Sequence, residues 1–215
     1  MERVYDCSVD TELLEGMRLA KQAISRNQLV VIPTDTVYGL AADAFSAMAV
    51  RNLLDAKGRG RQSPPPVLIA NQAAMVALTE SVPELAQKLA DAFWPGALTM
   101  ILRSQPSLDW DLGETKGTVA LRMPDQKFAL ALLNETGPLA VSSANLTAQP
   151  AATSVAEAHE YFGENVAVYL DGGVSPKGEA STILDLTGDK VRVIRLGALS
   201  VEAIAEVIGQ ENVEA

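Results

Sequence analysis

The sequence predicts a single α/β domain built on a mixed sheet. Three observations carry this expectation. Short apolar runs alternate with segments of helical spacing along the chain, two late runs flank a turn, and 215 residues at 48% hydrophobic content suffice for one core. The expected domain is residues 1–215, with a core of about 12–200, no dividing linker and no additional C-terminal domain.

The elements follow in order. Leu13, Leu14, Met17, Leu19, Ala20, Ala23 and Ile24 fall near helical spacing, so residues 11–25 are expected as a helix. Leu29-Val30-Val31-Ile32 reads as a short buried strand stopped by Pro33, with residues 34–39 as the loop at its end. A helix is expected over 48–56 with Ser46 as N-cap, and Gly58, Gly60 and Pro64-Pro65-Pro66 make the following segment irregular. Residues 67–69 read as a strand, and 83–93 as a helix with proline in its first turn. Strands at 97–102 and 119–122 flank an acidic loop through Asp109 and Asp111. A helix over 127–135 precedes a strand at 139–141 that runs into Ser142-Ser143-Ala144-Asn145. A helix over 155–162 and a strand at 166–170 come next. Strands 181–186 and 191–196 pair across Gly188-Asp189, and a helix over 200–208 closes the pattern.

Composition excludes several functions. The formal net charge of −10 disfavours a chain whose whole surface holds nucleic acid. Cys7 is the only cysteine and His159 the only histidine, so neither an internal disulfide nor the usual zinc ligand sets can be assembled. No apolar run approaches the roughly 20 residues that span a bilayer. The start carries Glu2, Asp6 and Asp10 rather than a basic leader, and a reducing cytoplasm is the expected location. Against this acidic background Lys57, Arg59 and Arg61 cluster within five positions. Two readings stand: cations offsetting a helix C-terminal dipole, or a phosphate site.

Familiar motifs fail in specific ways. Gly58-Arg59-Gly60-Arg61-Gln62-Ser63 lacks the third glycine of a dinucleotide fingerprint and follows a helix, whereas that fingerprint follows a strand. Gly173 to Gly178 has P-loop spacing, but Glu179 and Ala180 stand where Lys and Ser/Thr are required. Ser142 and Ser143 lack the nucleophile elbow of serine hydrolases, and His159 reads as a surface residue of a polar helix. What remains sits at strand ends, where α/β sheets place ligands. Thr34-Asp35-Thr36, Thr118 to Arg122 and Ser142 to Asn145 offer hydroxyls and amides for hydroxyl, carboxylate and phosphate groups. Lys57 and Arg59 offer charge for a polyphosphate. Such segments are also common in ordinary turns.

Together these blocks resemble the YrdC-like family. The resemblance rests on Val31-Ile32-Pro33-Thr34-Asp35-Thr36-Val37-Tyr38-Gly39-Leu40, Ala56-Lys57-Gly58-Arg59, Trp94-Pro95-Gly96, Arg122-Met123-Pro124, Ser143-Ala144-Asn145 and Ser181-Thr182-Ile183, in the family's order. It is strongest for the family's single-domain threonylcarbamoyl-AMP synthases. It implies a twisted open mixed sheet with flanking helices around a large positively charged cavity. The implied reaction makes threonylcarbamoyl-AMP and pyrophosphate from L-threonine, bicarbonate and ATP with Mg2+, for threonylcarbamoyladenosine modification of tRNA beside the anticodon. The implied partner is the tRNA threonylcarbamoyl transferase complex, with weak RNA binding and no membrane.

Carried over by position, the resemblance implies Lys57, Arg59, Ser143 and Asn145 as the catalytic set. It implies Arg59, Ser63, Thr118, Ser143, Ala151 and Arg195 for ATP, and Thr36, Arg122, Val141 and Ser181 for threonine. No protein side chain is implied as a metal ligand. The chain departs from the family where many members read K-x-R-P-x-x-N-P-L-x-x-H. Here Arg59 is followed by Gly60-Arg61-Gln62-Ser63 and three prolines, so Ser63 is expected to replace a lost polar contact and Arg61 to add a phosphate contact. Two alternatives stay open: a YrdC-like paralogue of different substrate, and a double-stranded RNA-binding module.

Overall fold

Val30, Val31 and Ile32 are apolar and β-branched without a break, and they lie fully buried inside the sheet of the computed structural model, which describes residues 3–214. The elements run β1 (Val4–Asp6), α1 (Asp10–Ser25), β2 (Val30–Ile32), β3 (Gly39–Asp43), α2 (Ala47–Lys57), β4 (Val67–Leu68), α3 (Gln72–Leu78), α4 (Glu84–Phe93), β5 (Leu98–Arg103), β6 (Thr118–Arg122), α5 (Lys127–Thr136), β7 (Leu139–Ser143), α6 (Val155–Phe162), β8 (Val168–Asp171), β9 (Thr182–Asp185), β10 (Val191–Arg195), α7 (Val201–Ile208) and β11 (Val213–Glu214). Among the described residues the strands form one mixed sheet in the order β1-β8-β2-β3-β7-β4-β6-β5-β9-β10-β11.

Strand periodicity divides the core in two. Val30 and Ile32 pack with Ala20, Ile24 and Leu132 from α1 and α5, while Val31 faces the larger cluster with Leu53, Met75, Leu89 and Ile204. Both faces are therefore covered, as a sheet with several parallel pairs requires. Ser46 caps α2 as expected, its Oγ accepting from the Ala49 N–H at 3.2 Å. The helix ends on Gly58 at φ +63°, which frees the chain to turn Arg59 back toward the sheet.

Four elements escape the sequence reading. β3 is Gly-Leu-Ala-Ala-Asp, poor in strand formers, yet it pairs with β2 on one side and β7 on the other, and that pairing outweighs propensity. β1, β11 and α3 are too short to display a period. The expected hairpin is present as β9 and β10, with a bulge between Val193 and Arg195. His159 is a correction: it is half-buried, its ring 5.0 Å from that of Tyr169, because α6 lays it against β8.

Candidate active site

A cavity of about 480 Å³ opens where β3, β7, β6, β9 and β10 present their ends. Its most buried corner starts at Pro33. The chain there cannot continue the ladder, and Thr34 closes a tight turn by donating to the Val37 carbonyl at 2.6 Å and accepting from the Thr36 N–H at 3.2 Å. Arg122, at the end of β6, spreads its guanidinium across this turn. Nε donates to the Gly96 carbonyl at 2.9 Å, Nη1 to Thr36 Oγ1 at 2.8 Å and Nη2 to Asp35 Oδ1 at 2.5 Å. Burial pushes the Arg122 guanidinium below its ordinary value and Asp35 opposes that shift. Each terminal nitrogen retains a second N–H, so the fork keeps donors for a ligand carboxylate.

The wall formed by β9 and β10 carries Ser181, whose Oγ lies 2.8 Å from Thr99 Oγ1. Arg195 donates from Nε and Nη2 to the Ser181 carbonyl at 3.2 and 2.7 Å. The bulge lets the consecutive residues Ile194 and Arg195 both line the cavity, which a regular strand would forbid. The third wall holds Arg59, Ser142, Ser143 and Asn145, with Arg59 Nη1 3.4 Å from Ser142 Oγ. Asn145 is buried; its Nδ2 donates to the Leu146 and Gln149 carbonyls at 2.8 Å each. Its Oδ1 is, among the described residues, the one buried side-chain polar atom without a partner.

Ten of the twelve sequence-predicted site residues meet in this one cavity: Thr36, Arg122, Val141 and Ser181 with Arg59, Thr118, Ser143, Asn145, Ala151 and Arg195. Two do not. Lys57 is 1% exposed and does not line the cavity; its Nζ donates to the Ser143 and Asn145 carbonyls, while its own carbonyl accepts from the Thr147 N–H and Oγ1. Its charge is thus committed to the chain that carries Ser143 and Asn145. Burial, and next Arg59, pull the Lys57 ammonium down to about 7. Ser63 also lies outside the lining, its place taken by Pro64, Pro65 and Pro66. Arg61 is corrected too: its fork grips Asp111 at 2.8 and 2.9 Å instead of facing the cavity.

The electrostatics are one-sided. Arg59, Arg122 and Arg195 line the cavity, and no aspartate or glutamate does among the described residues. Arg195 is pushed below its ordinary value by burial and then by the charge of Arg59, and Arg195 in turn acts on Arg122. Three guanidinium groups therefore repel one another across a space that an anion would relieve. Sequence reasoning gave Asp35 no role, although it is the one carboxylate in the wholly buried stretch 29–42. That isolation was the available signal. Among the described residues no cluster of His, Cys, Asp and Glu could hold a metal by itself, and no helix is long and apolar enough to cross a membrane.

Residues 22–197 match the Sua5/YciO/YrdC family model, which carries the description telomere recombination. The chain is 49% identical to a putative threonylcarbamoyl-AMP synthase of Mycobacterium tuberculosis, over 97% of this chain and 96% of that protein. It is 40% identical to the threonylcarbamoyl-AMP synthase of Bacillus subtilis over 91% of this chain, but only 57% of that protein. The structure of P. abyssi Sua5 complexed with L-threonine superposes with a TM-score of 0.88 at 36% identity, over 92% of this chain and 58% of that one.

Proposed function

Because the chain belongs to the Sua5/YciO/YrdC family, we propose that it is an L-threonylcarbamoyladenylate synthase, a nucleotidyltransferase that uses L-threonine, bicarbonate and ATP. The observation that carries this reading is the single cavity holding three arginines and no carboxylate. A triphosphate and an amino-acid carboxylate are the anions that such a space suits.

The two anions have separate places. Arg122, Thr36 and Ser181 form the threonine end, with the guanidinium fork on the carboxylate and the hydroxyls on the side chain. Arg59 and Arg195 face the nucleotide, with Thr118, Ser143 and Ala151 along it. The threonine amine condenses with bicarbonate to a carbamate and water. A carbamate oxygen then attacks the α-phosphorus, forming the new P–O bond as the bond to pyrophosphate breaks. Catalysis here is positioning plus charge stabilisation: Arg59 holds the leaving phosphates, and Lys57 acts by fixing the main chain of Ser143 and Asn145. No protein base is required where the amine enters uncharged.

The residues also suit magnesium arriving with ATP. The unpartnered, buried Asn145 Oδ1 is a hard oxygen donor of the kind Mg2+ accepts, and the nucleotide phosphates would complete the set. Bound there, the ion would neutralise phosphate charge. The adenylate product feeds threonylcarbamoylation of adenosine beside the tRNA anticodon, with the transferase complex as its consumer.

The test is pyrophosphate release from ATP and bicarbonate, with and without threonine. Release that requires threonine supports the assignment. Absent or threonine-independent release overturns it.

A further inference from the structure

The cavity has one wall that no strand builds. It consists of Pro64, Pro65 and Pro66 from the segment after α2, and Leu112 and Thr115 from the long loop between β5 and β6. Proline has no N–H, so Pro64 and Pro65 carry no main-chain pairing, and of the three only Pro66 is tied to the sheet, its carbonyl accepting from the Val141 N–H at 2.8 Å. The two segments are instead fastened to each other outside the cavity. The Arg61 guanidinium forks onto the Asp111 carboxylate at 2.8 and 2.9 Å, and the Glu114 N–H donates to the Arg61 carbonyl at 2.8 Å. Gly113 passes beneath at φ +106°, where a Cβ would lie 2.6 Å from that same carbonyl oxygen. The Asp111 carboxyl also accepts from the Gly113 N–H at 3.1 Å, and it is held below the usual carboxylate range, chiefly by Arg61. On the outer side Trp110 stacks on Phe45, centroids 5.4 Å apart.

We propose that Arg61 and Asp111 are positioning residues for the nucleotide, clasping the two loops so that Pro64–Pro66 and Leu112 form the apolar wall against which it lies. This deepens the reading given under Proposed function and rests on it. The arginines claim the anionic groups, so an apolar wall in the same cavity is left for the part of ATP without charge, the base. Arg61 itself makes no contact with the cavity, and its action passes entirely through the loops. The pair is about half exposed, at 54% and 40% for the two side chains, so it contributes little to global stability. Its loss should loosen this wall and leave the rest of the fold intact.

The experiment compares wild-type protein with Arg61→Gln, Asp111→Asn and the charge reversal R61D/D111R. It measures KM for ATP and for threonine by pyrophosphate release, together with the melting temperature. Each single variant is expected to raise KM for ATP roughly fivefold and KM for threonine less than about twofold, with the midpoint moving under about 3 °C. The reversal should recover most of the ATP effect. An unchanged KM for ATP in the singles, an equal rise for both substrates, or no recovery on reversal overturns the clasp. Wild-type protein without threonine-dependent turnover overturns the functional reading and this inference together. Normal wild-type turnover with variants that match it overturns this inference alone.

Discussion

Arg122 Nη2 and Asp35 Oδ1 meet at 2.5 Å with both side chains buried, the arginine lining the cavity and the aspartate outside its lining. The carboxylate also accepts from the Asp125 N–H at 3.0 Å and lies 3.5 Å from Lys177 Nζ. Asp35 therefore sets where the Arg122 fork points and leaves each terminal nitrogen a second N–H. Asp35→Asn keeps the shape and removes the countercharge. Breaking one partner of a buried pair typically costs ~3–5 kcal/mol, so urea unfolding should register a loss of that order. KM for threonine should rise more than KM for ATP. A stability loss under ~1 kcal/mol would mean that Arg122 is compensated elsewhere.

Lys57 provides a pH signature. Its ammonium titrates at about 7 in the fold against 10.5 as an ordinary lysine, so between those values the unfolded chain binds more protons. Stability from this group therefore rises as pH climbs from about 7 toward 10.5. Urea midpoints at several pH values in that window, for wild type and Lys57→Met, isolate the effect by difference. Wild type should gain on the variant as pH rises; parallel curves would contradict the burial of this amine.

Arg59→Ala removes a cavity guanidinium without touching the core. The expected loss is ~2–4 kcal/mol of transition-state stabilisation, read as kcat/KM for ATP. The melting point should hold, or rise slightly, because Arg195 and Lys57 lose a repelling neighbour. Near-normal turnover would remove Arg59 from the phosphate role.

Gly39→Ala tests the seam between β3 and β7. A Cβ at Gly39 would come within 2.6 Å of Val141 Cγ1, and Val141 lines the cavity. Valine is stiff at χ1, so the neighbour cannot swing away cheaply. The variant should lose ~1–3 kcal/mol and bind threonine more weakly. Threonine titration calorimetry on the folded variant checks the second part.

Most elements were legible because they obey a period. α2, α6 and the β9–β10 hairpin appear close to where spacing, capping and turn residues put them. β3 was not legible, since Gly39 to Asp43 becomes a strand only through its neighbours. The site was legible as residue types at strand ends, and ten of twelve candidates converge. Of the three residues found outside the lining, Ser63 gives way to the prolines after it, and the other two share a cause. Lys57 and Arg61 look like phosphate ligands in sequence, but the charge of each is spent on partners distant in the chain, the Ser143 and Asn145 carbonyls and Asp111. Spacing along the chain carries no record of such pairings.

The sheet order interleaves early and late parts of the chain, and the cavity draws on residues from Thr34 to Arg195. Closing so many long loops is slow, and no early fragment holds the whole lining, since Ser181 and Arg195 join it late in the chain. On the proposed function, a ribosome-bound chain would thus lack a complete site until Arg195 has emerged. Substrate binding would then report that the chain through Arg195 has been made and correctly threaded.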